Sequence, residues 1–249
     1  MSHRTELHFH LLPGVDDGPL DMADTLELAR MAVEDGTRTI TATPHVRDVV
    51  LAEIPGRVAQ VSAAVRAAGI PLTVEAGAEL AHPDLPDLSD ADLDAIAHGP
   101  AGRRWVLLEA PLFGGDVDGL RAALAEVRDR GFGVLLAHPE RCAPLMQADG
   151  ALDAELAAGV RAQINASSLL GRHGDAARDW GLELVRSGRA HVLASDAHRP
   201  TRGPVLSEAI AVLTSAGVER AQAERLVADH PRALLEHGMP GCARSRAAA

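Results

Sequence analysis

The chain has 249 residues, of which 47% are apolar but only 2% aromatic, with no tyrosine, a size and make-up that suit one α/β domain with an aliphatic core. Its formal charge is −11 and every cation is an arginine; without a basic run interleaved with aromatics it has no electrostatic footprint for nucleic acid. Cys142 and Cys242 are too few for a disulfide framework, and with neither a signal-length apolar segment nor about 18 uncharged apolar residues in a row, the expectation is a cytoplasmic protein with no membrane span.

Residues 7–11 read as a short first strand. Residues 20–35 place Met22, Leu26, Leu28, Ala29 and Ala32 at helical spacing before Gly36 ends the run. The β-branched stretch 37–43 is a second strand, 54–68 a helix ended by Gly69, and 72–76 a third strand. A short helix at 93–97 precedes a strand at 105–108. Boundaries then sharpen: helix 120–130, strand 134–137, helix 152–158, strand 161–164, helix 176–187 and strand 191–194, with Gly131, Gly159 and Gly188 closing the helices. Helices at 205–216 and 219–230 follow, and Pro231 can begin another turn. Residues 1–238 are expected to form one domain and 239–249 a disordered tail.

Strict alternation implies a parallel sheet, and seven strands suit a closed or nearly closed barrel. An open doubly wound sheet is the rival, but it gathers its site at one switch point. Here every strand ends in a polar group: His8 and His10, His45, Glu79, Glu109, His138, Asn165, and Asp196 with His198. A barrel brings all those ends to one face.

His8 and His10, two apart on an extended segment, share a side, and the turn LLPGVDDG delivers Asp16 and Asp17 just beyond them. Imidazole and carboxylate without thiolate suit manganese, iron or zinc. A single histidine after an apolar run is more often structural than a ligand, so only the joint occurrence argues for a multinuclear metal site. Asn165 either caps its loop or supports a ligand. His3, His98, His173, His191, His230 and His237 read as structural or solvated, while His82 lies close enough to Glu79 to reach a pocket mouth. A cysteine phosphatase is excluded, because the position six after Cys142 is Ala148 where an arginine is needed.

The segments HFHLLPGVDDG, TPH, GAEL, LLE, AHPER, NASSLLG and SDAH, followed by Arg202, resemble the PHP (polymerase and histidinol phosphatase) superfamily. Within it they look most like the CpsB/CapC group of bacterial manganese-dependent tyrosine phosphatases. The likeness runs from about His8 to Pro204. It implies the PHP fold, a distorted (β/α)7 TIM-like barrel, and three divalent ions, manganese or alternatively iron or zinc. His8, His10, Glu79 and Asp196 would hold one, Asp17, His45 and His198 a second, and a bridging Glu79 with Glu109 and His138 the third. Arg141 and Arg202 would bind the substrate phosphate, and a hydroxide bridging the metals would attack it.

Four carboxylates against three divalent ions leave a charge of +2, so the pocket would attract a phosphate dianion although the protein is acidic. The resemblance implies phosphotyrosine-protein hydrolysis linked to capsule or exopolysaccharide regulation, with a bacterial tyrosine kinase as partner. A small-molecule phosphatase acting on histidinol phosphate, or a silent phosphoprotein-binding module, are the alternatives. One departure stands out: Glu6 occupies the place of the family's usual aspartate, and if that acid orients His8 or His10, its longer side chain is expected to weaken the tuning of metal affinity without loss of the site.

Overall fold

The computed structural model describes residues 3–112 and 115–239. In chain order its strands are β1 (Arg4–Phe9), β2 (Thr37–Ala42), β3 (Thr73–Ala76), β4 (Glu79–Ala81), β5 (Trp105–Glu109), β6 (Gly133–Ala137), β7 (Arg161–Asn165) and β8 (Ala190–Ala194). The helices are α1 (Met22–Glu34), α2 (Ile54–Ala67), α3 (Asp90–Ile96), α4 (Val117–Asp129), α5 (Ala143–Gln147), α6 (Ala151–Ala157), α7 (Ala166–Leu169), α8 (Asp175–Arg186), α9 (Leu206–Ser215), α10 (Arg220–Val227) and α11 (Asp229–His237). All strand pairs are parallel, in one sheet of order β1-β2-β3 and another of order β4-β5-β6-β7-β8.

The expected third strand, 72–76, is found as β3, and a further short strand, β4, follows it after Gly77 and Ala78. A Cβ on Gly77 would stand 2.4 Å from His98 Nε2 and 2.9 Å from Thr41 Cγ2, so only glycine lets the chain pass that close to the His98 ring. At this break the pairing changes hands. β3 follows β2 as far as Ala42 opposite Ala76, whereas β4 begins beyond the end of β2, with the bridge His45 to Glu79, and pairs with β5. The other seam carries the bridge Phe9 to Ala197, where His10 N–H donates to Ala197 O at 2.8 Å and Asp196 N–H to His8 O at 3.2 Å. The eight strands thus form two parallel sheets that meet at two seams, each joined by a single bridge instead of a full ladder, as in an incompletely closed, distorted barrel.

Both faces of the strands are buried, as parallel strands require. Val106, Leu108, Leu136 and Leu193 join the large helix-facing core, while Trp105, Leu107, Leu135, Ala137, Val192 and Ala194 form a second cluster on the opposite face. By strand alternation Glu109 continues the Trp105–Leu107 face and Asp196 the Val192–Ala194 face. The interior is apolar below and polar where the strands end.

The lower end is closed by α11, which the sequence showed only as a turn that Pro231 could begin; Pro231 sits in the first turn, where it costs no helical hydrogen bond. Trp105 Nε1 donates to Leu234 O at 2.9 Å, and Met239, 1% exposed, packs over Gly133. The first residue of the expected tail is thus part of the fold; 240–249, with Cys242, lie outside the described residues. Among the described residues no helix is long and apolar enough to cross a membrane.

Candidate metal centre

The strand ends deliver their side chains as the alternation anticipated. His8 is the next-to-last residue of β1 with His10 just beyond the strand, His45 follows β2, Glu79 opens β4, Glu109 ends β5, His138 follows β6, and Asp196 and His198 follow β8. Asp17 arrives from the turn after β1. His8 and His10 are fully buried, Glu79, His138, Asp196 and His198 nearly so, and Asp17 is open to solvent. His138 (φ 36°) and Asp196 (φ 52°) are the only non-glycine residues with positive φ among those described. Such strain, about 1–3 kcal/mol each, concentrates at functional sites.

Glu79 is the hub. Its Oε2 lies 3.2 Å from His8 Nε2, 3.4 Å from His10 Nε2 and 3.1 Å from His45 Nδ1, and its Oε1 lies 3.2 Å from His138 Nε2. Asp196 Oδ1 is 3.2 Å from His8 Nε2 and 3.6 Å from His10 Nε2, and Asp17 Oδ1 is 3.1 Å from His198 Nε2. Four groups of donor atoms lie close enough to share an ion: His10 with Asp17, His45 and His198; His8 with His10 and Asp196; His8 with Glu79 and His138; and His45 with Glu79 and Glu109. All nine expected ligands come together. These groups cut across the division among ions that the resemblance implies: His8, His10 and Asp196 group without Glu79, His10 joins Asp17, His45 and His198, and Glu79 is grouped with His138 and with Glu109 separately.

The hydrogen bonds behind the ring nitrogens show what fits between these groups. His8 Nδ1 donates to Gln163 Oε1 at 2.9 Å and His10 Nδ1 to Asp16 Oδ2 at 2.7 Å. The hydrogens being on Nδ1, each neutral ring turns its Nε2 lone pair toward Glu79 and Asp196, and both Nε2 atoms are buried with no hydrogen-bond partner. Lone pairs facing anionic oxygens at such distances repel unless a cation lies between them. A divalent metal satisfies both. In its absence protons do so: although burial pulls His10 down, hydrogen bonds to Asp16 and Glu79 push it up to about 10, and against the same pull Asp17 and Glu79 push His45 up to about 11. Burial, then the charge of Glu79, lifts Glu109 to about 7.

Arg141 Nη1 stands 3.3 Å from Asp196 Oδ2, and Arg202 Nη1 3.5 Å from Asp17 Oδ2, so two guanidinium groups edge the cluster. Asn165 fills both roles foreseen for it. Its Nδ2 donates to Asp196 Oδ2 at 2.8 Å and its Oδ1 accepts from Ser167 N–H at 3.0 Å.

Glu6 does not orient His8 or His10. Its Oε2 accepts the Ser195 N–H at 2.8 Å, and burial raises its pKa to about 8. The orienting partners are Gln163 and Asp16. Gln163 went unrecognised in the sequence because a neutral amide carries no ligand signal, though its alternation with Asn165 on β7 places it on the polar face. Glu140 was also missed: fully buried, its Oε1 accepts from Asn165 N–H at 3.0 Å and Ser168 Oγ at 2.7 Å, tying the loop after β6 to the end of β7. His98 and the stacked pair His191–His230 are structural, as expected, and His82 lines a cavity together with His45 and Glu109.

Comparison with known proteins agrees with this architecture. The tyrosine-protein phosphatase YwqE of Bacillus subtilis is 32% identical over 223 residues, 84% of this chain and 83% of that protein. A structure solved in work on YwqE of Bacillus subtilis and CpsB of Streptococcus pneumoniae, described as unique metal-dependent tyrosine phosphatases, superposes with a TM-score of 0.73 at 27% identity, covering 95% of this chain and 97% of that one. The phosphotriesterase homology protein of Escherichia coli, solved with phosphate in its active site, shares the fold alone, at a TM-score of 0.61 and 14% identity over 92% of this chain and 97% of that one. The family described as capsular polysaccharide synthesis, CpsB/CapC, matches residues 4–236, and with its fold and nearly its whole length accounted for, the chain belongs to that family.

Proposed function

We propose that this chain is a metal-dependent phosphomonoesterase that hydrolyses phosphotyrosine on proteins. The observation that carries the reading is the pair of unpartnered Nε2 lone pairs of His8 and His10 aimed at Glu79 and Asp196, with Arg141 and Arg202 at the edge of the same cluster. The ligand set is His8, His10, Asp17, His45, Glu79, Glu109, His138, Asp196 and His198, holding three divalent ions, manganese with iron or zinc as alternatives. Bound there, the ions would lower the pKa of a water to give the nucleophile and would neutralise charge on the phosphoryl oxygens.

The remaining work falls to this chain's own side chains. Arg141 and Arg202 offer planar pairs of N–H donors to the phosphate oxygens, and their ion pairs with Asp196 and Asp17 hold them in place beforehand. Gln163 and Asp16 fix the ring tautomers of His8 and His10. Asn165 and Arg141 together occupy Asp196 Oδ2, which leaves Oδ1 facing the histidines.

The physiological substrate is a phosphotyrosine tail on a bacterial tyrosine kinase of capsule or exopolysaccharide export, met in the cytoplasm. The names of the relatives support the phosphotyrosine and capsule parts of this assignment. Metal-reconstituted protein is expected to turn over a phosphotyrosine peptide with a higher kcat/KM than histidinol phosphate. A preference for histidinol phosphate refutes the substrate assignment, and no turnover of any phosphoester leaves a silent binding module.

A further inference from the structure

His173 lies in the turn between α7 and α8, half-buried, and the sequence left it as structural or solvated. The structure brings it to the metal cluster. It lines a cavity of about 240 Å³ together with Glu140, Arg141, Met146 and Ala176, and the charges of Arg141, Asp196, His138 and Arg202 all act on its ring. A chain of hydrogen bonds fixes that ring. Ser168 Oγ donates to Glu140 Oε1 at 2.7 Å, so toward His173 Nδ1, 3.0 Å away, it is the acceptor. The ring hydrogen is therefore on Nδ1, and Nε2 is the atom left to gain and lose a proton. Glu140 anchors the chain: it is fully buried, its Oε1 also accepts the Asn165 N–H at 3.0 Å, and its Oε2 has no hydrogen-bond partner. An imidazole oriented by a hydroxyl that a buried carboxyl holds in place is the arrangement of a proton-transfer group.

We infer that His173 is the general acid of the reaction, giving its Nε2 proton to the ester oxygen as that oxygen leaves phosphorus. The inference rests on the proposed phosphatase reading. A tyrosine hydroxyl has a pKa of about 10, so a departing tyrosinate is strongly basic at neutral pH, and protonating it on departure is worth about 10²–10⁴-fold. Of the titratable groups lining the cavity, Arg141 does not release protons and Glu140 is fully buried behind its Ser168 contact; His173 is the one able to carry a proton to the substrate. The bond between phosphorus and the tyrosyl oxygen breaks, and the Nε2 proton goes to that oxygen to give neutral tyrosine. The oxygen of the attacking water forms the new bond to phosphorus, and the proton that the water releases to solvent balances the one that Nε2 takes back. Burial, then the charge of Arg141, lowers the His173 pKa to about 4. A phosphoryl dianion between Arg141 and Arg202 offsets both guanidinium charges and raises it again, so the ring takes up its proton along with the substrate.

The test compares kcat/KM for phenyl phosphate, whose leaving group is about as basic as tyrosine, and for 4-nitrophenyl phosphate, whose far more acidic leaving group departs without a proton. Both are measured in Mn-reconstituted wild type, His173→Ala and Ser168→Ala. His173→Ala is expected to lose about 10²-fold on phenyl phosphate and little on the nitrophenyl ester, and Ser168→Ala to show the same pattern more weakly. Titration of metal-free His173→Ala with Mn should give wild-type affinity, because His173 lies outside the nine proposed ligands. Equal losses on the two esters, no loss on phenyl phosphate, or weakened Mn binding in His173→Ala overturns the assignment, since each makes the residue a support for binding or structure and not a proton donor. The two readings fail differently: a wild type that hydrolyses neither ester contradicts the phosphatase itself, whereas a wild type active on both, with a loss in His173→Ala that ignores the leaving group, contradicts only the general acid.

Discussion

Asn165 gives its side-chain N–H to Asp196 Oδ2 across 2.8 Å while its own side-chain oxygen takes the Ser167 N–H. One residue thus starts a helix and pins a buried carboxylate. Replacing it with alanine removes one of the groups that hold Asp196, and loss of such an outer partner typically weakens metal binding about 10–100-fold. Titration of metal-free Asn165→Ala with Mn is expected to show a loss in that range. Wild-type affinity would mean that Arg141 alone positions Asp196.

Gln163 and Glu6 make opposite predictions. Gln163→Leu removes the acceptor that keeps the His8 hydrogen on Nδ1, so the ring can present the wrong nitrogen to the cluster, again costing about 10–100-fold in metal affinity. Glu6→Gln keeps an acceptor for the Ser195 N–H and touches neither histidine, so its metal affinity should match wild type. A larger loss in Glu6→Gln than in Gln163→Leu would restore Glu6 as the orienting group.

Arg141 and His138 separate catalysis from binding. Alanine at either position should lower kcat/KM on a phosphotyrosine peptide by about 10²–10³, and Arg141→Lys should recover little, because a lysine cannot reproduce the planar pair of donors. A lysine variant with near wild-type rates would show that Arg141 acts only as a point charge.

The metal-free protein should lose stability as pH rises above 6.5. His10 at about 10 and His45 at about 11 hold protons more tightly when folded than at their ordinary 6.5, so the stability they confer is complete below 6.5 and disappears on the way up to those values. Glu6 at about 8 and Glu109 and Glu140 at about 7 bind protons more tightly folded than at their ordinary 4.5, which gives the same sign. His98, His173 and His191, lowered to about 4, act in the opposite sense but only below 6.5. The Tm of chelator-treated protein is therefore expected to fall between pH 6.5 and 10, and added metal should reduce the slope by displacing the protons. A Tm that rises over that range contradicts the proton-for-metal exchange.

Gly77→Ala tests the strand break. The new Cβ would meet His98 Nε2 at 2.4 Å and Thr41 Cγ2 at 2.9 Å, overpacking that costs about 1–3 kcal/mol. Because β4 begins two residues on with Glu79, metal affinity should fall along with Tm. Unchanged affinity at lower Tm would confine the role of Gly77 to stability.

The strand ends were legible because each ligand follows an aliphatic run whose period and length mark a strand, and parallel topology does the rest. What was not legible depends on contacts distant in sequence. The start of the additional strand β4 depends on the close pass of Gly77 beside the His98 ring, and the seal by α11 and Met239 needs Trp105 and Gly133 to be facing it. Glu6 misled for a similar reason: its spacing from His8 and His10 puts it on their side of the strand, but its partner is a backbone N–H on the neighbouring chain segment after β8. Gln163 and Glu140 carry no pattern of their own, and their importance comes from what they touch.

The most direct test of the central claim is phosphotyrosine-peptide turnover, read against bound metal per chain, as chelator-treated protein is reconstituted with Mn, Fe or Zn. The expected result is negligible turnover without metal, recovering in step with the binding of at least two and up to three equivalents, as the proposed three-ion site predicts. Full turnover in the metal-free protein, or saturation at fewer than two equivalents, would contradict it.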